Sequence, residues 1–483
     1  MRKSTGSTTR SSLTFLLLLP LFSFFCFQQA SAQTSYANEF IDPDLILAGD
    51  FANNTAAAQR MIRNWASKWA SEGPWSVMLK DATPPSGTKH DYMSWAPYWW
   101  PDCSDVGNTT VLSEEEVWTT CPYRRRDGEF NPDVRGVNDV GNFQDMSDAV
   151  LYNALAWSLE EAGKTLYARN AVQFLRTWFL NPDTRMNPNL NFAQMIRGSN
   201  GRPGSATGVL DLKGMAKIAS AILIFRKGGS TEWTSDDDEQ MVEWSREYIE
   251  WLETAELALD EGNSRNNHGS FYYNQLAALK LIVDDIPGAI NVSSTYFSRQ
   301  FQSQIAADGE QPFEAARTRP YHYRAYNLAA AITNARIWKY ADPSSNVWEI
   351  TSAEGATIKT ALDYAMTHSA SSSGESQYAA ELYPIVAAVA SVYGDPDGQY
   401  LNFLQENDEG FYAEPYFLWN SGEWTSDVTS TARPGGPKPT SRKTQGSPSV
   451  DEDAGSADGR GVRLWGLALN VAVLAHTLLS VVI

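Results

Sequence analysis

The sequence predicts an all-α fold, an α/α toroid built as an incomplete barrel of antiparallel helical hairpins, and three observations carry that prediction. Apolar residues recur at helical spacing through nearly consecutive segments: 145–160, 164–180, 208–226, 235–255, 270–285, 293–307, 326–341, 353–368 and 378–394. The joins are short and carry Gly, Pro, Asn or Asp, as in Asn181-Pro182-Asp183, Gly228-Gly229 and Asp342-Pro343. No run of alternating apolar and polar residues marks a strand. Consecutive helices with short joins pair as hairpins, and several such pairs can close into a ring of inner and outer helices. The segments share no repeated motif, so an open helical solenoid is the second architecture the pattern allows.

From the N-terminus, Arg2, Lys3 and Arg10 precede an apolar run from Leu13 to Phe27, and Ala30-Ser31-Ala32 has the small-x-small form of a signal-peptidase site. Residues 1–32 are therefore expected to be a signal peptide, with a domain over 33–420. Lys89-His90-Asp91-Tyr92-Met93-Ser94-Trp95-Ala96-Pro97-Tyr98-Trp99-Trp100-Pro101-Asp102 combines aromatics with prolines, which argues against a helix. Lys89, His90, Tyr92, Trp95, Tyr98 and Trp99 are candidate sugar-binding residues, because aromatic faces stack on the C–H faces of sugars. A loop that caps the core with aromatics is the structural alternative. Cys26 leaves with the signal; Cys103 and Cys121 remain and are expected to form one disulfide in an oxidising compartment. Asn53, Asn108 and Asn291 each head an Asn-x-Ser/Thr triplet and are candidate N-glycosylation sites.

The stretch from Asn181 to Gln194 is rich in amides and ends near Arg197, a further candidate substrate contact, although Asn and Asp are ordinary turn residues. Ser235 reads as an N-cap with Asp238 three residues on, and Met241, Trp244, Tyr248, Trp251 and Ala255 follow at helical spacing. Only five histidines occur in the chain, and two stand in unusual company. One is in Asn266-Asn267-His268 at the mouth of a helix. The other is in Arg317-Thr318-Arg319-Pro320-Tyr321-His322-Tyr323-Arg324. Packing does not call for this mixture of amide, imidazole, guanidinium and phenol, and it suits work on a carboxylate.

Segment 421–461 is rich in Ser, Thr, Pro and Gly and reads as a stalk unable to bury enough surface to fold. In the hydrophobic tail, 462–483, Leu464 to Ile483 is an apolar run preceded by a polar spacer and by Ala454, Gly455 and Ser456. That order predicts a glycosylphosphatidylinositol anchor signal, and so attachment to the cell surface. A C-terminal transmembrane helix is the rival reading. The formal net charge of −19 excludes nucleic acid as a partner, and any acidic ligand must be met by local arginines.

The motifs Lys89-His90-Asp91-Tyr92, Ala96-Pro97-Tyr98-Trp99-Trp100-Pro101, Asn266-Asn267-His268 and Arg317-Thr318-Arg319 with His322-Tyr323 together resemble the alginate lyase superfamily of polysaccharide lyases, in particular families 5 and 38 and their fungal relatives. The resemblance spans roughly Asp81 to Gly394. It implies an α/α toroid and places the catalytic Asn, His, Arg and Tyr on Asn267, His268, Arg317 and Tyr323. Bacterial alginate lyases have one more residue between the first arginine and the tyrosine, which leaves Arg317 and Arg319 in competition for the arginine role.

The chemistry can be read independently. Cleaving a polyuronate removes the C5 proton beside the carboxylate and expels the C4 oxygen, and charge accumulates on the carboxylate as it does so. Donors at that carboxylate stabilise the transition state more than the ground state. Asn267 with His268 or an arginine suits that task, and a phenolate at Tyr323, favoured by a nearby guanidinium, suits the base. In glucuronate and mannuronate the C5 hydrogen and C4 oxygen are on one side, so a single tyrosine can serve both; guluronate needs a second residue such as His268. Arg319, His322 and Arg324 complete the candidate binding set. No metal or other cofactor is expected, since His268 and His322 have no carboxylate at ligand spacing, and the enzyme is expected to act as a monomer on an acidic polysaccharide. Alternatives are a toroidal glycoside hydrolase using Glu314 with Asp91 or Asp211, and an inactive carbohydrate-binding wall protein.

Overall fold

The computed structural model describes residues 40–106, 111–160, 163–426 and 428. The expected signal peptide, most of the stalk, the tail and Asn108 lie outside the described residues.

The longer helices are α1 Ala56–Glu72, α2 Asp139–Leu159, α3 Lys164–Leu175, α4 Met215–Gly228, α5 Ser235–Thr254, α6 Asn267–Ile282, α7 Ile286–Ser298, α8 Pro320–Ala341, α9 Ile358–Met366, α10 Tyr383–Tyr393 and α11 Gln399–Asn407. Two kinds of sequence sort them into two layers. In α6 every residue except Lys280 is buried, and α2, α4, α8 and α10 are similarly enclosed on most faces. A helix apolar or internally satisfied on most sides belongs inside. By contrast α1 buries one stripe, Ile62, Trp65, Ala66 and Trp69, and α5 another, Met241, Trp244, Tyr248 and Leu252.

The enclosed helices pack in succession, α2 on α4, α4 on α6, α6 on α8 and α8 on α10. The striped ones lie outside them: α1 and α3 against α2, α5 and α7 against α6, α9 against α8, and α11 against α10. The short helix Tyr416–Asn420 packs on both α10 and α1, and so brings the end of the domain back to its beginning. This is the α/α toroid.

Several boundaries differ from the sequence reading. The capping residue of α5 is Thr234, whose side chain accepts from Asp237 N, while Asp237 accepts from Thr234 N at 3.0 Å. Asp238 is drawn off instead by Arg226 and by Trp233 Nε1. The expected helix at 293–307 begins earlier, because Asp285 caps Gly288 N and Pro287 sits in the first turn, and it ends at Ser298. Helices α1 and α11 were not read from the periodicity.

The aromatic loop is non-helical, and it forms short strands too brief for alternation to show. Strand β1 (Met93–Trp95) pairs in parallel with β4 (Phe192–Met195), and β2 (Trp99–Pro101) pairs antiparallel with β3 (Tyr123–Arg125). Cys103 and Cys121 are bridged, 18 residues apart, just beyond the Pro101–Tyr123 pair at the connected end of the β2–β3 ladder. Asn53 and Asn291 are exposed.

Candidate active site

The site begins at two helix N-termini that lack caps of their own. No side chain of Asn266 or Arg319 satisfies the first N–H groups of α6 or α8, and such orphan donors need an acceptor. Remote glutamates supply it. Glu314 Oε1 accepts from Asn267 N at 2.8 Å, and Oε2 accepts from Asn267 Nδ2 at 2.7 Å. Glu375 accepts from Tyr321 N at 3.1 Å and from His322 N at 2.9 Å. A carboxylate at a helix N-terminus also meets the positive end of the helix dipole. Asn267 and Tyr323 are thereby fixed in the first turns of neighbouring inner helices, where Phe271 and Tyr326 pack as a tilted pair with centroids 4.2 Å apart.

Around Tyr323 the phenol and guanidinium groups converge. Arg317 Nη2 donates to Tyr323 Oη at 2.8 Å, with the guanidinium 3.9 Å from the ring centroid. Tyr98 Oη lies 3.4 Å from Tyr323 Oη, although the two residues are 225 apart in sequence. Arg319 donates to Tyr98 Oη at 2.6 Å and to Tyr378 Oη at 2.5 Å. Both competing arginines therefore stand at this cluster: Arg317 donates to the Tyr323 hydroxyl, and Arg319, bonded to Tyr98 and Tyr378, has its guanidinium 5.7 Å from the Tyr323 ring centroid. Asp127 stands 3.9 Å from Arg317. The chain of contacts reaches Asn267 through Glu314, whose carbonyl accepts from Arg317 N at 3.1 Å.

Both histidines meet a carboxylate that sequence spacing did not reveal. His268 Nδ1 is 2.7 Å from Glu261 Oε1, and His322 Nδ1 is 2.6 Å from Glu381 Oε2. Among the described residues no group of three or more His, Cys, Asp or Glu could hold a metal ion. Glu261, Glu375, Glu381 and Tyr378 were missed. Glu261 lies seven residues from His268, but Tyr378 and Glu381 each act 59 residues from their partners, Arg319 and His322, and nothing local marks them.

Other candidates have internal partners. Tyr92 donates to Asp211, His90 Nδ1 lies 2.7 Å from the Arg185 carbonyl, and the Lys89 carbonyl holds Lys80 Nζ. The Arg197 guanidinium lies 4.1 Å from the Trp95 ring centroid and 4.8 Å from that of Tyr123; its burial holds it below the usual guanidinium range. Trp99 packs on Ala96, Tyr123 and Ile196. Arg324 forms a two-pronged pair with Glu310 at 2.7 and 2.6 Å.

The carboxylates nominated for hydrolysis are also committed. Glu314 accepts from the backbone N and from one amide hydrogen of Asn267, and Asp91 accepts from Asn187 and Asn189. Asp211 accepts from Tyr92, Ser94 and Gln194, and burial pushes its carboxyl up.

A helical toroid with amide, imidazole, guanidinium and phenol gathered at its inner helix starts defines an enzyme of the polysaccharide lyase class. The alginate lyase family model matches residues 76–375, and the chain belongs to that family. Among solved structures, the crystal structure of an alginate lyase from Bacteroides ovatus superposes with a TM-score of 0.68 at 28% identity, over 80% of this chain and 100% of that one. A variant of alginate lyase A1-III complexed with a tetrasaccharide gives a TM-score of 0.45 at 13% identity, over 77% of this chain and 92% of that one. No curated protein matches the chain.

Proposed function

We propose that this lyase cleaves a β-1,4-linked polyuronate, polymannuronate or glucuronan, by syn β-elimination, with Tyr323 as both base and acid. The observation that carries the reading is the 2.8 Å contact from Arg317 to the Tyr323 hydroxyl. A guanidinium donating to a phenol oxygen stabilises the phenolate. That oxygen takes the C5 proton; the C5 electrons form the C4–C5 double bond, the C4–O bond breaks, and the same proton returns from Tyr323 to the departing oxygen.

Asn267 and His268 stabilise the charge that builds on the uronate carboxylate. An amide nitrogen carries two hydrogens; Glu314 takes one from Asn267, and the other serves the substrate. Arg319 holds Tyr98 beside the reacting phenol. The commitment of Glu314, Asp91 and Asp211 to other donors weighs against hydrolysis by a carboxylate pair.

The test is incubation with polymannuronate, polyguluronate and glucuronan, read by the ultraviolet absorbance of the conjugated double bond that elimination leaves. Polymannuronate or glucuronan should yield it, and Tyr323→Phe should fold, bind oligouronate and lose turnover by about 10³-fold. Absence of unsaturated product from every polymer would overturn the reading.

Export and surface attachment belong to the same proposal, supported by the signal-like start, the anchor-like tail and the Cys103–Cys121 bridge. Release from membranes by phosphatidylinositol-specific phospholipase C is the check on the anchor.

A further inference from the structure

Glu261 has no place in the reaction described above, yet it determines what His268 can do. The carboxylate comes from the short helix Glu256–Gly262, its side chain is 2% exposed, and it lies 2.7 Å from His268 Nδ1. Because a carboxylate only accepts, Nδ1 must carry a hydrogen. The second ring nitrogen then has two possible states. In a neutral ring Nε2 presents a lone pair, which repels a uronate carboxylate but can abstract a proton. In a charged ring Nε2 presents a hydrogen, which can neutralise that carboxylate but cannot act as a base.

We infer that Glu261 is a positioning residue that keeps His268 doubly protonated, making it a hydrogen-bond donor and removing it as a base. A buried carboxylate without a positive partner is costly, and the group set against Glu261 that can take up a positive charge is the imidazole of His268. The charged groups on the elements around α6 are engaged elsewhere. Glu314 is taken by Asn267, Asp211 by Tyr92, Ser94 and Gln194, Lys280 by Glu253, and Arg324 by Glu310. Arg317 and Tyr323 pair with each other, and Lys213 lies over the Tyr326 ring. A bound uronate would bring a second negative charge to the imidazole and favour the same state.

The consequence, which rests on the syn-elimination reading, is a restriction on substrate. With His268 unable to abstract a proton, guluronate has no base on the side it requires, and the site is confined to mannuronate and glucuronate residues.

The test combines a titration with kinetics. Ring-nitrogen NMR of the wild-type protein, with the His268 signals assigned by their loss in His268→Ala, should show two protonated nitrogens at neutral pH. A lone-pair nitrogen on His268 there overturns the inference whether or not the enzyme is active. In Glu261→Gln the amide oxygen can still accept from Nδ1 but the charge is gone. The alkaline limb of kcat/KM on polymannuronate or glucuronan should then move down by about 1–2 pH units, with the acid limb unmoved. An unmoved alkaline limb in a folded, active Glu261→Gln also overturns it, as does guluronate cleavage by the wild type at a rate comparable to mannuronate. A wild type that eliminates no polyuronate defeats the proposed function instead, and the NMR result still decides the protonation state.

Discussion

Two arginines two residues apart meet different phenol oxygens at the cluster around Tyr323, Arg317 that of Tyr323 and Arg319 those of Tyr98 and Tyr378. Arg319 precedes Pro320 at the entrance to α8 with φ −132° and ψ 70°, and its guanidinium bridges Tyr98 and Tyr378. Arg317 lies closer over the Tyr323 ring, 3.9 Å from its centroid against 5.7 Å for Arg319, and donates to its hydroxyl. Replacing Arg317 with Ala should therefore move the acid limb of the pH–rate profile upward by about 1 unit or more, because the phenolate loses its adjacent charge. Arg319→Ala should lower activity with a smaller displacement of that limb, its effect passing through Tyr98. Equal displacements in the two variants would mean that both guanidiniums stabilise the same phenolate.

The β2–β3 hairpin is the element that presents Tyr98. Tyr98 immediately precedes β2, its carbonyl accepts from Arg126 N at 2.8 Å, and the Cys103–Cys121 bridge closes the far end of the ladder. A two-stranded ribbon of three-residue strands is marginal without support. Closing an 18-residue separation is worth roughly 3 kcal/mol through the unfolded chain. A Cys103→Ser/Cys121→Ser double variant should lose about that much stability in denaturant titration and have weakened turnover as Tyr98 loosens. Unchanged stability would show that the hairpin is held by Asn131, which donates to the Trp99 carbonyl, and by its neighbours alone.

Across the whole molecule, buried carboxyls set how stability depends on pH. Burial, with Asp148 and Glu72 nearby, pushes Asp145 up from 3.8 to about 7, and burial raises Asp139 to about 6 despite its pairing with Lys80. Between about pH 4 and 7 the folded protein keeps protons that the unfolded chain has released. This contribution is fully present below the unfolded value and is lost as pH rises through the folded one. Thermal melts should accordingly show stability from these groups falling as pH rises across that window. Asp145→Asn should flatten the fall and be more stable than wild type at pH 8 by about 1 kcal/mol, allowing for solvent screening of a partly exposed group. A steeper fall in the variant would contradict the assignment.

Local pattern alone was enough for the helical class, since an outer helix such as α5 needs only a stripe recurring every three or four residues, and Met241, Trp244 and Tyr248 provide it. It was also enough to single out Asn267, His268, Arg317, Arg319 and Tyr323, whose chemistry packing does not require, and to pair the two cysteines left in the domain. The start of α5 was misread by one residue because Thr234–Asp237 and Ser235–Asp238 offer the same local signal. The choice between them lay with Arg226 and Trp233, which claim Asp238. Tertiary structure alone brought the Arg317 guanidinium to the Tyr323 hydroxyl, set Tyr98 beside Tyr323, and placed Glu314, Glu375 and Glu261 at the helix starts and the histidine. Periodicity and capping rules act over a few residues, whereas Glu314 reaches Asn267 across 47 positions and Tyr98 reaches Tyr323 across 225. Such contacts exist only once the inner helices have packed side by side.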